Sequence, residues 1–266
     1  MKVFISSDIE GVNGMTDWVE AEKGRPEYGM FVQRQDRALA AISEGLHDSD
    51  PNVDILIKDG HGTACNVIHE NLPEYTRLFR NSGRTPYIMM HGIDQGFDGA
   101  ILAGYHSGAG TDGSPLCHTM EPEKIVYMKI NDQLADEFLM NYYSALYNGV
   151  PVVMVTGDEA VCRRVKEVDP NIVTVAAHTG DAGGVFSRHP NVVNRELRQA
   201  ASRAMAQLDR CSMKMPEHFS MEIYFLEHKQ AKRAAWYPGM ERLSANVVRF
   251  ETDDYFELLR AYMFIQ

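Results

Sequence analysis

The sequence contains little cysteine and no cysteine pair of the kind that holds a metal. Its four cysteines, Cys65, Cys117, Cys162 and Cys211, lie far apart, and none belongs to a CxxC motif. This spacing argues against both a zinc knuckle and a disulfide scaffold. The first residues, MKVFISSDIEG, lack the apolar stretch of a secretory signal, so we expect a reducing, cytoplasmic location.

Long apolar runs and an excess of basic residues are also missing. No window approaches the roughly 20 apolar residues of a membrane span. The 26 lysines and arginines are outnumbered by 37 aspartates and glutamates, which gives a net charge of −11. We therefore expect no nucleic acid and no membrane as partner, whereas cationic ligands or metal ions suit this charge.

Several common catalytic motifs are absent as well. The glycine-rich segment 104–113 contains no GxxxxGK[ST], and no GxGxxG directly follows a predicted strand, which counts against a nucleotide-binding domain. No GxSxG elbow is present, which counts against a serine hydrolase.

Short apolar segments alternate with segments of helical periodicity along most of the chain. The predicted strands are Val3–Ser6, Val53–Ile57, Gly99–Ala103, Val152–Thr156 and Ile172–Ala176. The predicted helices are Tyr28–His47, Asp132–Tyr147 and Asn191–Leu208, the second of them with a cap signal at Asn131-Asp132. This alternation predicts an α/β fold with a largely parallel sheet flanked by helices.

The pattern changes near Met215-Pro216. Two further strands, Met221–Leu226 and Asn246–Glu251, precede a helix over Asp253–Ile265. We predict an α/β body over residues 1–210 that carries the functional site. Residues 211–266 form a smaller α+β segment packed on that body.

Polar side chains with metal-binding chemistry follow three of the predicted strands. Asp8 and Glu10 follow the first strand, His61 the second and His106 the third. Ligands of open parallel sheets bind beyond the carboxyl ends of the strands, so these four side chains are expected to converge. Carboxylate oxygens and imidazole nitrogens suit Zn²⁺, Mn²⁺ or Fe²⁺, and this number of carboxylates points to a bridged pair of metals.

Each of these residues also has an ordinary structural interpretation. An acid after a strand often forms a turn or caps a helix, and a histidine beside glycine is often only hydrogen-bonded. Asp59 suits either a turn or the orientation of a ligating histidine. Glu137 suits a helix N-terminus. His118 has the chemistry of a general acid, base or nucleophile, and Cys117 that of a reactive thiol or a small buried residue.

Several stretches of the chain resemble the M55 family of metallopeptidases, the D-aminopeptidases. The matching segments are SDIEGVNG at 7–14, KDGHG at 58–62, AGYHSGAG at 103–110, CHTM at 117–120, INDQLADEFLMN at 130–141 and VPVVMVTGD at 150–158. The C-terminal AWYPGMERL is similar as well. The resemblance covers nearly the whole chain, and its motifs occur in the order that the family has.

The resemblance implies a zinc-dependent aminopeptidase that acts on short peptides at a binuclear zinc site. Asp8 falls at the bridging ligand, and the other ligand positions are Glu10, His61, His106 and Glu137. His118 falls at the residue that the family treats as its catalytic nucleophile. The resemblance further implies a homo-oligomer, a decamer of two stacked five-membered rings with active sites facing an inner channel.

The chain departs from the family where a lysine commonly follows the strand that ends at Ala177, because His178 stands there. Two other functions remain open from the residues alone. One is a metal-dependent hydrolase of another ester or amide bond. The other is a non-catalytic α/β assembly protein that retains a metal.

Overall fold

The computed structural model describes all residues from 1 to 266. The strands are β1 (Lys2–Ser7), β2 (Asp54–Asp59), β3 (Thr76–Phe79), β4 (Gly99–Tyr105), β5 (Ile125–Ile130), β6 (Gln133–Leu134), β7 (Val152–Asp158), β8 (Val173–Asp181), β9 (Gly184–Ser187), β10 (Phe219–Phe225), β11 (Glu241–Arg242) and β12 (Val247–Thr252). The helices are α1 (Trp18–Ala21), α2 (Tyr28–Ser49), α3 (Glu137–Tyr147), α4 (Glu159–Val168), α5 (Pro190–Ala204), α6 (His228–Ala234) and α7 (Tyr255–Ile265).

The main sheet has seven strands in the order β3-β2-β1-β4-β7-β8-β9. All neighbours are parallel except β8 and β9, which form an antiparallel pair. The prediction of an α/β fold with a largely parallel sheet is confirmed. Because β1 lies between β2 and β4, the chain reverses its direction of strand addition there, and the carboxyl ends of these strands are the place for a ligand.

The strands of the main sheet are buried because their residues are almost continuously apolar. Every residue of β4 and β7 is buried, as both faces of a parallel sheet are covered. On these faces α2 packs against α5, α5 and α4 both contact β7 and β8, and α3 contacts β4. None of the helices combines the length and apolar composition needed to cross a bilayer.

A second, antiparallel sheet has the order β11-β12-β10-β5-β6. It takes β10 to β12 from the C-terminal segment and β5 and β6 from residues before 210. One cluster of 65 buried apolar residues extends through both sheets, from Ile5 and Ile57 to Ile223 and Val248. The two sheets therefore share a core, and the division of the chain at residue 210 stays a prediction.

The predicted helix over Asp132–Tyr147 is wrong at its start. Asn131 and Asp132 have φ angles of 51° and 64°, and they form the tight turn between β5 and β6. Asparagine and aspartate accept this left-handed conformation, which a two-residue hairpin requires. Helix α3 begins only at Glu137, where the Asp136 side chain accepts a hydrogen bond from the Leu139 amide.

Sequence periodicity also missed several short elements. It assigned a helix to the residues of β6 and no structure to β3, β5, β9, β11, α1, α4 and α6. Two of these strands contain only two residues and cannot show a periodic pattern. Helix α4 is amphipathic, with Val161, Cys162 and Val165 buried on one face, so its pattern was a usable signal.

Candidate metal centre

Two of the predicted ligands follow β1 directly. The main chain of Asp8 is held by its amide, which donates to the Ala103 carbonyl of β4 at 2.8 Å. Asp8 Oδ1 accepts hydrogen bonds from the amides of Ile9 (2.6 Å) and Glu10 (3.2 Å). Its Oδ2 atom is buried and has no hydrogen-bond partner. One carboxylate oxygen thus fixes the turn while the other is left for a ligand.

Glycine at position 11 lets this turn lie close to β4. A Cβ atom at Gly11 would be 1.8 Å from the Tyr105 carbonyl oxygen, and one at Gly157 would be 1.7 Å from the same atom. Both glycines therefore fit around the last residue of β4. Because neither glycine has a side chain, both can lie against Tyr105, and the residue after it, His106, lies beside Asp8 and Glu10.

The orientation of the His106 ring is set by a chain of buried hydrogen bonds. Its Nδ1 atom lies 3.0 Å from the Ser107 carbonyl oxygen, to which it donates. Asp158, at the end of β7, accepts from the Ser107 amide at 2.6 Å and from the Ser107 hydroxyl at 2.7 Å. Since Nδ1 donates to this carbonyl, Nε2 is the ring atom that can bind a metal, and it is buried without a partner.

His118 and Glu137 reach the same point from later parts of the chain. His118 Nδ1 lies 2.8 Å from the Leu116 carbonyl, which again leaves the Nε2 lone pair free. Glu137 is the first residue of α3, and its Oε1 atom accepts from the Met120 amide at 2.7 Å. The two rings of His106 and His118 stack with their centroids 4.4 Å apart.

The structure brings all six predicted site residues together. His106 Nε2 lies 3.6 Å from Asp8 Oδ2, 3.6 Å from Glu10 Oε2 and 3.5 Å from Glu137 Oε2. His118 Nε2 lies 3.6 Å from Glu10 Oε2 and 3.5 Å from Glu137 Oε1, and His61 Nε2 lies 3.7 Å from Glu10 Oε1. All these separations exceed normal hydrogen-bond lengths.

Such separations fit atoms that share a metal ion. At zinc–ligand distances of about 2.0 Å, tetrahedral ligand atoms lie about 3.3 Å from one another. Two overlapping groups have ligand atoms that all lie within 4.8 Å of one another: Glu10, His106 and His118 form one, and Asp8, His106 and Glu137 the other. His61 belongs to neither group and adjoins Glu10. The unpartnered Asp8 Oδ2 and His106 Nε2 atoms also fit a bound cation.

Burial and mutual charge shift the pKa values of this cluster strongly. Burial, reinforced by the Glu10 charge, raises the pKa of Asp8 to about 7. Burial also acts to raise the pKa of Glu10, but the histidines, above all His61, outweigh it and lower that pKa to about 2. Burial acts to lower the pKa of His61, and Glu10 outweighs it and raises that pKa to about 9. In the metal-free fold, protons on Asp8 and His61 therefore occupy positions that a bound cation would take.

Two neighbouring residues have structural rather than ligand contacts. Asp59 accepts from the Asn66 and Val67 amides and does not hydrogen-bond the His61 ring, so it holds the loop that carries His61. Cys117 Sγ accepts from the Ser114 amide at 3.1 Å, within the loop that precedes His118.

Sequence reasoning missed Asp158 and Trp18 as parts of this region. Asp158 is the last residue of a buried parallel strand, and Asp8, His61 and His106 closely follow such strands, so this position was a usable signal. Trp18 follows Asp8 by ten residues, and only the folded chain shows that its ring contacts His118 edge-on, at a centroid distance of 5.0 Å.

A cavity of about 280 Å³ opens onto the cluster. Asp8, Glu10, His61, His118 and Glu137 are among the residues that line it. A larger cavity of about 360 Å³ lies between α2 and α5 and reaches Asp8, but none of the clustered histidines lines it. Of these two cavities, the smaller one therefore gives access to the cluster.

Comparison with known proteins identifies the family of the chain. The family model described as D-aminopeptidase, peptidase family M55, matches residues 1–264. The D-aminopeptidase of Bacillus subtilis (strain 168) is 29% identical over 268 residues, which cover 99% of this chain and 96% of that protein.

A solved structure has the same fold. It is that of the Zn-dependent D-aminopeptidase DppA from Bacillus subtilis, described as a self-compartmentalizing protease. Its TM-score is 0.92 at 27% identity, and the alignment covers 100% of this chain and 96% of DppA. With a family match over nearly its full length, this chain belongs to the D-aminopeptidase family of M55 peptidases.

Proposed function

We propose that this protein is a zinc-dependent aminopeptidase that removes the N-terminal residue of short peptides containing D-amino acids. The observation that carries the proposal is the convergence of imidazole nitrogens and carboxylate oxygens at 3.5–3.7 Å in a buried cluster beside a cavity. The family membership and the zinc-dependent relative support it.

We assign two Zn²⁺ ions per chain to this cluster. Asp8 would bridge them, and the remaining ligands would be Glu10, His61, His106 and Glu137. The number of ligands supports two ions, because five residues are assigned and a single tetrahedral zinc has room for only four. When bound, zinc polarises the scissile carbonyl and makes a nucleophile available at neutral pH.

His118 is the proposed catalytic residue. Its Nδ1–H donates to the Leu116 carbonyl, so the ring is held in the tautomer whose Nε2 carries a lone pair. That atom faces Glu10 and Glu137 and lines the cavity, where it can attack the scissile carbonyl or hold a proton during the reaction.

Hydrolysis of small amides tests the proposal. Chelator-free protein reconstituted with zinc should release ammonia from D-alanine amide, lose this activity with a chelator and regain it with zinc. L-alanine amide measures the stereochemical preference, and nitrophenyl phosphate is the control for a phosphoesterase. Turnover of the phosphate alone would establish a different hydrolase, and bound zinc without any turnover would establish a non-catalytic protein.

A homo-oligomeric, decameric assembly in the cytoplasm completes the proposal. The self-compartmentalizing relative supports an oligomer, and several large apolar side chains are exposed on the single chain, among them Trp236, Phe186 and Phe264. The four free cysteines suit a reducing compartment. Light scattering should give ten times the 30.0 kDa mass of the chain, and a monomer mass would contradict the assembly.

A further inference from the structure

Trp18 is a large aromatic residue at the mouth of the candidate metal centre. It begins α1 and remains 42% exposed, although its ring contacts the buried His118 ring edge-on at an interplanar angle of 71°. A tryptophan that is half covered by a site histidine and half open has one apolar face available to a ligand.

The main chain around Trp18 is held firmly. Asp17 caps α1 by accepting from the Val19 amide at 3.1 Å. Glu20 Oε2 accepts from the amides of Thr16 and Asp17, at 2.7 and 3.1 Å, which completes a capping box. Because these bonds fix the backbone on both sides, the position of the indole is set before any ligand arrives.

The cavity that Trp18 lines is bordered by two kinds of side chain. Carboxylates and histidines are joined there by an apolar wall that consists of Trp18, Ile88, Met89, Met120 and Pro122. Trp18 also borders a second cavity of about 440 Å³, which Glu10 and His61 line as well. The apolar wall therefore borders the same space as the residues that would hold the reacting end of a peptide.

We propose that Trp18 determines substrate specificity by packing against the side chain of the residue that is removed. The inference rests on the proposed aminopeptidase function. Because the apolar wall and the candidate metal ligands line one cavity, the side chain next to a reacting carbonyl lies within reach of the indole. The substrates favoured by this wall are peptides whose first residue is a large apolar or aromatic D-amino acid.

A series of amides separates this role from a general effect on His118. We would measure kcat/KM of the zinc enzyme on the amides of D-alanine, D-leucine and D-phenylalanine, for the wild type, Trp18→Ala and Trp18→Phe. Trp18→Ala should lose about 10-fold on D-phenylalanine amide and less than about 2-fold on D-alanine amide, because only the larger side chain reaches the indole. Trp18→Phe should recover most of the loss.

Equal losses on all three amides would overturn the proposal, since they would show that Trp18 only orients His118. Unchanged kinetics on all three would overturn it too. If the wild-type zinc enzyme hydrolyses none of the amides, the proposed function itself fails, and the contact of Trp18 with a ligand is then decided by binding alone.

Binding has a direct readout because Trp18 and Trp236 are the only tryptophans in the chain. In Trp236→Phe, Trp18 is the single indole, and titration with D-phenylalanine should shift or quench its fluorescence at concentrations where D-alanine has no effect. Trp18→Phe retains the 82% exposed Trp236 and should show no change, which makes it the matched control. No response of Trp18 to D-phenylalanine would refute the proposed contact.

Discussion

Replacing Asp158 by asparagine should weaken metal binding, although Asp158 is not among the proposed ligands. The carboxylate accepts from the Ser107 amide, the Ser107 hydroxyl and the Val161 amide at 2.6–2.7 Å, and it is fully buried. The side-chain amide introduced by Asp158→Asn would face one of these donors with its own N–H groups. Hydrogen bonds to a charged group contribute about 1.5–3 kcal/mol each, so we expect a loss of about 2–3 kcal/mol in the free energy of unfolding.

The effect on the metal follows from the link between Ser107 and His106. The Ser107 carbonyl fixes the His106 tautomer, and loss of a partner of this kind typically lowers metal affinity about 10–100-fold. Zinc affinity would be measured by competition with a chelating dye at fixed pH, and stability by denaturant unfolding of the metal-free protein.

Asp169→Asn is the matched control. Asp169 is also buried and accepts from backbone amides, those of Asn171 and Ser212, but it lies at the opposite end of α4. Its replacement should destabilise the fold and leave zinc affinity unchanged. Wild-type affinity in Asp158→Asn, or an equal loss in both variants, would refute the argument that Asp158 acts through His106.

Other consequences of the geometry can be checked separately. Glu10→Gln should bind zinc markedly more weakly, because Glu10 adjoins three histidines; unchanged metal content would remove it from the site. His118→Ala should lower kcat severely with metal content retained, whereas loss of metal would mark His118 as a ligand. The raised pKa values of Asp8 (about 7) and His61 (about 9) favour their protonated forms in the metal-free fold. The free energy of unfolding of the metal-free protein therefore falls as the pH rises from the ordinary pKa of each group to its raised value, because only the folded state still holds the proton. Zinc binding needs both groups deprotonated and is favoured by the same rise in pH. The increase in Tm caused by zinc should therefore be larger at pH 8 than at pH 6 in thermal unfolding, and a smaller increase would contradict the assignment. Gly157→Ala should destabilise the protein by more than about 3 kcal/mol, since its Cβ would overlap the Tyr105 carbonyl; a stability change below about 1 kcal/mol in denaturant titration would be inconsistent with this packing.

The location of the cluster could be predicted from sequence because parallel strands end at one edge of a sheet. Asp8, His61 and His106 each follow an apolar strand, and this shared position suffices to group residues that are up to 98 positions apart. Glu137 had no such signal. Its place at the start of α3 depends on the turn at Asn131-Asp132, which looks like a helix cap in the sequence but forms a hairpin.

The contacts that orient the site could not be predicted in the same way. The link from Asp158 to His106 runs through the main chain of Ser107, and periodicity carries no information on such a bond. Likewise, β5 and β6 join a sheet whose other strands follow more than 80 residues later. The pairing of β5 with β10 is therefore decided by the shared core and not by a local pattern.

Metal content tests the central claim most directly. Untagged protein prepared without chelators would be reconstituted with zinc, freed of excess metal and analysed by mass spectrometry, with D-alanine amide hydrolysis measured on the same sample. The arrangement of Asp8, Glu10, His61, His106 and Glu137 predicts two zinc ions per chain, with activity lost on chelation and restored by zinc. A folded protein that takes up no metal on reconstitution would contradict the ligand assignment and the proposed function with it.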